Sequence, residues 1–185
     1  MKISLIAMAY LLLLAGCAGA LNKNTCALSK GMTGCENYIS CKTTLENQNS
    51  DFNISSILNQ ESFATLVDQI ADGNECAVQL GFYLFQVAHA KSEAGYMEEL
   101  SINLSYSIVN NPKSYLRYFP ESLLERKDIL SSLSCGVLPD LNEDKEYVLL
   151  QMNKRMRSLE SVDEAELNQA KAVVINTLKS YMKKL

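Results

Sequence analysis

Residues 77–90 read AVQLGFYLFQVAHA, and the fold turns on this stretch. Wound at about 3.6 residues per turn, its polar side chains Gln79, Gln86 and His89 fall in one narrow stripe with apolar residues all around. The two-residue alternation of a half-buried strand is missing, so the stretch reads as a helix. A helix apolar on nearly every side belongs in the middle of a fold, and asparagine at position 74 stands where a side-chain cap would start it.

Upstream, Phe63, Leu66, Val67, Ile70 and Ala71 follow the i, i+3, i+4, i+7, i+8 template, and Gly73 supplies a stop. Before them, ENQNSDFN at 46–53 is polar and reads as a loop. Asn24 to Leu45 is a cysteine-bearing segment broken by Gly31 and Gly34, with a short helix expected from Thr33 or Gly34.

Downstream, Met97, Leu100, Leu104 and Ile108 form the inner stripe of a helix ending at Asn110-Asn111-Pro112. Pro112 suits the first position of a short helix, PKSYLRYF, with Tyr115, Leu116 and Phe119 facing inward. Pro120 opens a further helix, ESLLERKDILSSLS, closed by Gly136. Leu149, Met152, Met156 and Leu159 are spaced for one face of the next. Ser161 and Glu164 have the spacing of a capping box for the last helix, whose stripe runs Leu167, Ala170, Val174, Leu178, Tyr181, Leu185. The expected fold is all-α. About seven helices in antiparallel hairpins would form an irregular bundle or a short α-solenoid, as one domain over residues 25–185.

The first sixteen residues differ in kind. Lys2 supplies one positive charge, and Leu5 to Leu14 are apolar apart from Tyr10. Charged start, short apolar run and small-residue boundary form the pattern of a secretory signal peptide. As a helix the run covers roughly 18 Å, too short for the roughly 30 Å core of a bilayer. It ends in Leu14-Ala15-Gly16-Cys17, which resembles the lipobox of bacterial lipoproteins. That resemblance implies a diacylglycerol on the Cys17 sulfur, removal of residues 1–16, and an acylated new amino terminus. More than one acyl chain would hold the protein stably on a membrane, with residues 17–24 as a short tether. Ala18-Gly19, with no aspartate after the cysteine, implies the periplasmic face of a bacterial outer membrane, or the outer cell face where there is only one membrane.

The remaining 169 residues carry 16 basic and 21 acidic side chains, a net charge of about −5. Such a chain has no electrostatic footprint for nucleic acid. The dense basic stretches, Lys154-Arg155-Met156-Arg157 and Lys179 to Lys184, fall late in expected helices, where cations favour the negative end of the dipole.

Excluding Cys17, five cysteines remain, Cys26, Cys35, Cys41, Cys76 and Cys135, so one is left over in an oxidising compartment. Cys35 and Cys41 are about 9 Å apart along a helix and point to different faces, too far to bridge. The expected pairs are Cys76 with Cys135, and Cys26 with either Cys35 or Cys41. One histidine and no C-x-x-C pair argue against a zinc site, and no metal or cofactor is expected.

His89, with Glu93 four residues on, is the only dyad the sequence offers, and its place beside Lys91-Ser92 favours a solvated histidine. Glu98-Glu99 and Glu164-Glu166 read as outward carboxylates, and no nucleophile, phosphate-loop or nucleotide motif occurs. Tyr115, Arg117 and Tyr118 form the densest aromatic cluster and are the candidate partner surface, against a competing role in the core. The expected function is non-catalytic protein binding at the envelope. In size and helicity the chain is similar to immunity lipoproteins and to pilotin-like assembly factors, a likeness of architecture. The alternatives are an envelope hydrolase using Glu or Cys chemistry and a helical carrier of an apolar ligand.

Overall fold

A computed structural model describes Cys26, Leu28 and residues 35–47, 53–136 and 145–185 of the chain. Helix α1 spans Glu36–Glu46, α2 Ile54–Ile57, α3 Gln60–Ala71, α4 Glu75–Lys91 and α5 Ala94–Asn110. Helix α6 spans Pro112–Tyr118, α7 Lys127–Cys135, α8 Lys145–Glu160 and α9 Asn168–Met182. Single 3-10 turns occupy Glu121–Leu123 and Ala165–Leu167, and the described residues contain no strand. The fold is an all-α bundle, with nine α-helices among the described residues where about seven were expected.

Three of these helices start on the same device. The side-chain oxygen of Asn59 accepts the Ser62 N–H at 2.7 Å, that of Asn74 the N–H groups of Cys76 and Ala77 at 3.1 and 3.0 Å, and that of Asn111 the Ser114 N–H at 3.1 Å. Each satisfies donors that the first helical turn leaves orphaned. Asn111 also donates to the Gly73 carbonyl at 2.8 Å, and Asn110 to the Ala71 carbonyl at 2.6 Å, closing the end of α3. Gly73 must be glycine twice over. Its φ is +79°, and a Cβ there would lie 2.8 Å from that of Asn111.

The sequence reading put residues 77–90 in the middle of the fold, and within α4 only Glu75 and Ala90 are exposed; α5 touches more helices but leaves one face, with Glu98, Glu99, Tyr106 and Val109, in solvent. Helix α5 packs against α3, α4, α6, α7 and α8, whereas α4 packs against α1, α3, α5 and α6. The reason is side-chain size. Helix α5 buries Ser101, Ser105 and Ser107 beside Leu100, Leu104 and Ile108. The three hydroxyls donate to the carbonyls of Glu98, Ile102 and Leu104, three residues back, at 2.9, 2.6 and 2.7 Å. Satisfied within their own helix, they need no polar partner outside it, and neighbours can close in on the buried face. Gly81 does the same for α4, where a Cβ would meet Ile70 Cδ1 of α3 at 2.6 Å.

Three local expectations are corrected. The helix expected from Pro120 splits into a 3-10 turn and α7, because Glu125 to Asp128 are all exposed and offer no apolar anchor to the turn between. The buried face of α8 is Val148, Met152, Arg155 and Leu159, rotated from the expected stripe, so Leu149 and Met156 are half-buried. The capping box does not form. Glu164 instead pairs with Lys113 at 2.6 Å and Arg117 at 3.5 Å, and α9 starts at Asn168.

Candidate functional site

An open groove lies where α2 and the start of α3 face the α4–α5 turn. Phe63, Ala64 and Val67 of α3 form one wall, and Glu93 to Tyr96 with Glu99 form the other. Together they enclose an open groove of about 630 Å³, within the range of ligand-binding pockets. The rings of Phe63 and Tyr96 meet edge to face across it, 4.9 Å apart at 87°. Glu93 occupies the N-cap of α5, yet its side chain makes no capping bond. Its Oε2 is buried with no hydrogen-bond donor among the described residues, while the residue as a whole is half-buried in the groove's lining.

A smaller cavity, about 200 Å³, opens between α5, α7 and α8 and is lined by Ser105, Tyr106, Cys135, Tyr147 and Arg155. Arg155 is 4 % exposed and donates to the carbonyls of Cys135 at 2.7 Å and Ser134 at 3.3 Å, and to Ser105 Oγ at 3.0 Å. It caps the last turn of α7 from another helix, placing a cation on the negative end of that dipole. Burial pulls its pKa down. Burial likewise pushes the Cys135 thiol up to about 11, partly offset by the Arg155 charge. A thiol held protonated in this way is a poor nucleophile.

The cysteines pair differently from the sequence expectation in one respect. Cys26 bonds to Cys41 with Cα atoms 5.2 Å apart, one of the two pairings expected for Cys26. Cys76, however, bonds to Cys35, Cα atoms 5.4 Å apart, and not to Cys135. The bridge ties the N-cap residue of α1 to the first turn of α4, while Cys135 sits free and buried at the end of α7. Proximity of cysteines to helix ends was the only signal for Cys76–Cys135, and helix ends are not neighbours unless their helices pack. Contacts of α4 run to α1, and α7 packs on α5 and α9. Cys17 and the tether lie outside the described residues.

Of the candidate partner surface, Tyr115 belongs to the core. It is fully buried, donates to the Leu133 carbonyl at 3.1 Å and stacks with Phe82 and Phe119. Its phenol pKa is raised, chiefly by burial. Arg117 and Tyr118 do reach the surface, where both bond Glu75 Oε1, at 3.1 and 3.0 Å, and Arg117 also reaches Glu164. Burial and the Glu75 carboxylate raise the Tyr118 phenol pKa. These bonds fasten α6 to the start of α4 and to the segment before α9.

His89 is half-buried near the end of α4, Glu98, Glu99 and Glu166 are exposed, and Glu164 is held in its ion pairs. Among the described residues, no three His, Cys, Asp or Glu side chains gather as a metal site, and no helix is long and apolar enough to cross a membrane. Sequence reasoning missed the groove because Phe63 was assigned to the core stripe of α3. It also placed Arg155 in a basic run serving the dipole of its own helix, although positions 148, 152, 155 and 159 share one face. What the fold and groove define is an all-α bundle with an open, aromatic-walled, acid-edged groove. Comparison with protein-family models, with curated proteins and with solved structures finds no match.

Proposed function

We propose that this chain is a lipoprotein, anchored through Cys17 at the periplasmic face of a bacterial outer membrane, whose helical domain binds another envelope protein without catalysing a reaction. The groove between α3 and the start of α5 carries the binding reading: the aromatic side chains Phe63 and Tyr96 and the acids Glu93 and Glu99 line an open groove, where a partner would cover them. The lipobox-like Leu14 to Cys17 supports the anchor, and two disulfides in the domain support an oxidising compartment.

Affinity capture of the tagged full chain from envelope extracts should return one dominant partner. Failure at both low and high salt would overturn the binding reading. The anchor is tested separately, by titrating thiols in the unfolded, unreduced native protein. One reactive thiol, Cys135, is expected if the Cys17 sulfur carries lipid; two would overturn the anchor. Cys17→Ala should leave the membrane fraction.

A further inference from the structure

The chemistry of the groove specifies what kind of segment it takes. Its apolar wall is Phe63, Ala64 and Val67, and the edge-to-face Phe63–Tyr96 pair closes one end. Opposite, half-buried Glu93 brings a carboxylate to the lining. Glu99 adds a second acid to the same lining, itself only weakly engaged by Asn103 at 3.4 Å. Among the described residues, no lysine or arginine lines the groove. Two acids and no base make the lining negative, so a cation on a partner complements it and an anion is repelled. Aromatic faces within reach of that cation favour it further.

We infer that the groove binds a protein segment in which a lysine or arginine stands beside a bulky apolar residue. The cation meets Glu93, and the apolar side chain lies against Phe63 and Val67. This rests on the protein-binding reading above and names the chemistry of the partner's contact.

The test uses the full chain in nanodiscs of zwitterionic phosphatidylcholine, so that the lipid itself does not hold cationic peptides. Three labelled peptides that differ only at the centre, Leu-Lys-Leu, Leu-Gln-Leu and Leu-Glu-Leu with blocked ends, are compared by fluorescence anisotropy against empty discs. The lysine peptide should bind about tenfold more tightly than the glutamate peptide, with glutamine between. Glu93→Gln should shrink that preference to about twofold, and Phe63→Ala should weaken all three peptides alike. Circular dichroism checks that both variants keep the helical fold. Equal binding of the three peptides, no binding at millimolar concentration, or a preference untouched by Glu93→Gln would each overturn the inference. So would n-hexylammonium competing as well as the lysine peptide, since the groove would then be a site for free amines. Capture of the same partner by Glu93→Gln at undiminished yield would sink this contact while leaving the binding function standing. Loss of all capture by the unaltered chain would sink the function itself.

Discussion

Helices α4 and α5 are each 17 residues long and pack along one another, yet they are built on opposite plans. Helix α4 buries large apolar groups, Leu80, Phe82, Leu84 and Phe85 among them, and so fills space. Helix α5 buries three serines between its leucines and so yields space. The second plan makes the hub. A helix covered in bulky side chains keeps its neighbours at the distance those side chains set, about 8–10 Å between axes. One with small, internally satisfied positions admits neighbours on more sides. Hydrophobicity marks the more enclosed helix, α4, and it does not predict which buried helix touches the most neighbours.

The comparison can be broken hardest at the point where α4 is tied down. Replacing Cys35 and Cys76 together by serine opens a 41-residue separation, and chain-entropy arguments put the loss at about 4 kcal/mol. The urea midpoint should fall accordingly, and a change below about 1 kcal/mol would mean the bridge contributes little to stability.

Within α4, Leu84→Ala removes a fully buried side chain and should cost about 3 kcal/mol, by lost transfer energy and the cavity left behind. A cost under about 1 kcal/mol would show that the site collapses and that α4 is not space-filling.

Raising the pH probes the far side of the hub. The Cys135 thiol, pushed up to about 11 by burial, ionises more readily in the unfolded chain. Its contribution is whole below the ordinary thiol pKa near 9 and is lost as pH rises through about 11. That is roughly 2 to 3 kcal/mol across the window, and the raised Tyr115 phenol acts in the same direction. Unfolding midpoints measured from pH 8 to pH 11 (about three units) should fall, and Cys135→Ser should flatten the slope. An identical slope in that variant would assign the effect to other groups.

The sharpest contrast has the smallest effect. Ser107→Leu in α5 should cost about 2 kcal/mol by overpacking, whereas Ser107→Ala should change stability by less than about 0.5 kcal/mol. The Ser107 hydroxyl bonds only its own helix, at Leu104 O, so size and not polarity holds the position. If the alanine variant were the more damaging of the two, the small-residue account of the hub would fail.

Much of the fold is legible residue by residue. Asn74 caps α4, Gly73 stops α3, Pro112 opens α6 and Gly136, at φ +75°, closes α7, because each acts on backbone groups a few positions away. The stripe of the last helix is legible for the same reason, with Leu167, Val174 and Leu178 all buried. The site was hardly legible. Glu93 was noted for a dyad with His89, and what distinguishes it instead is the wall of α3 opposite, some thirty positions away in sequence. Arg155 sat in a basic run read as favouring the end of its own helix dipole, and only the packing of α8 brings it to the carbonyls of α7.

By itself, then, the sequence determined the all-α class, several helix ends and most of the apolar faces, since periodicity and capping are local and each residue carries its own preference. Which helix became the hub, which cysteines met, that Tyr115 went inside, and that Phe63, Tyr96 and Glu93 share one groove were decided by tertiary structure alone. Those outcomes depend on distances between segments far apart along the chain, and such distances follow from the simultaneous packing of many side chains.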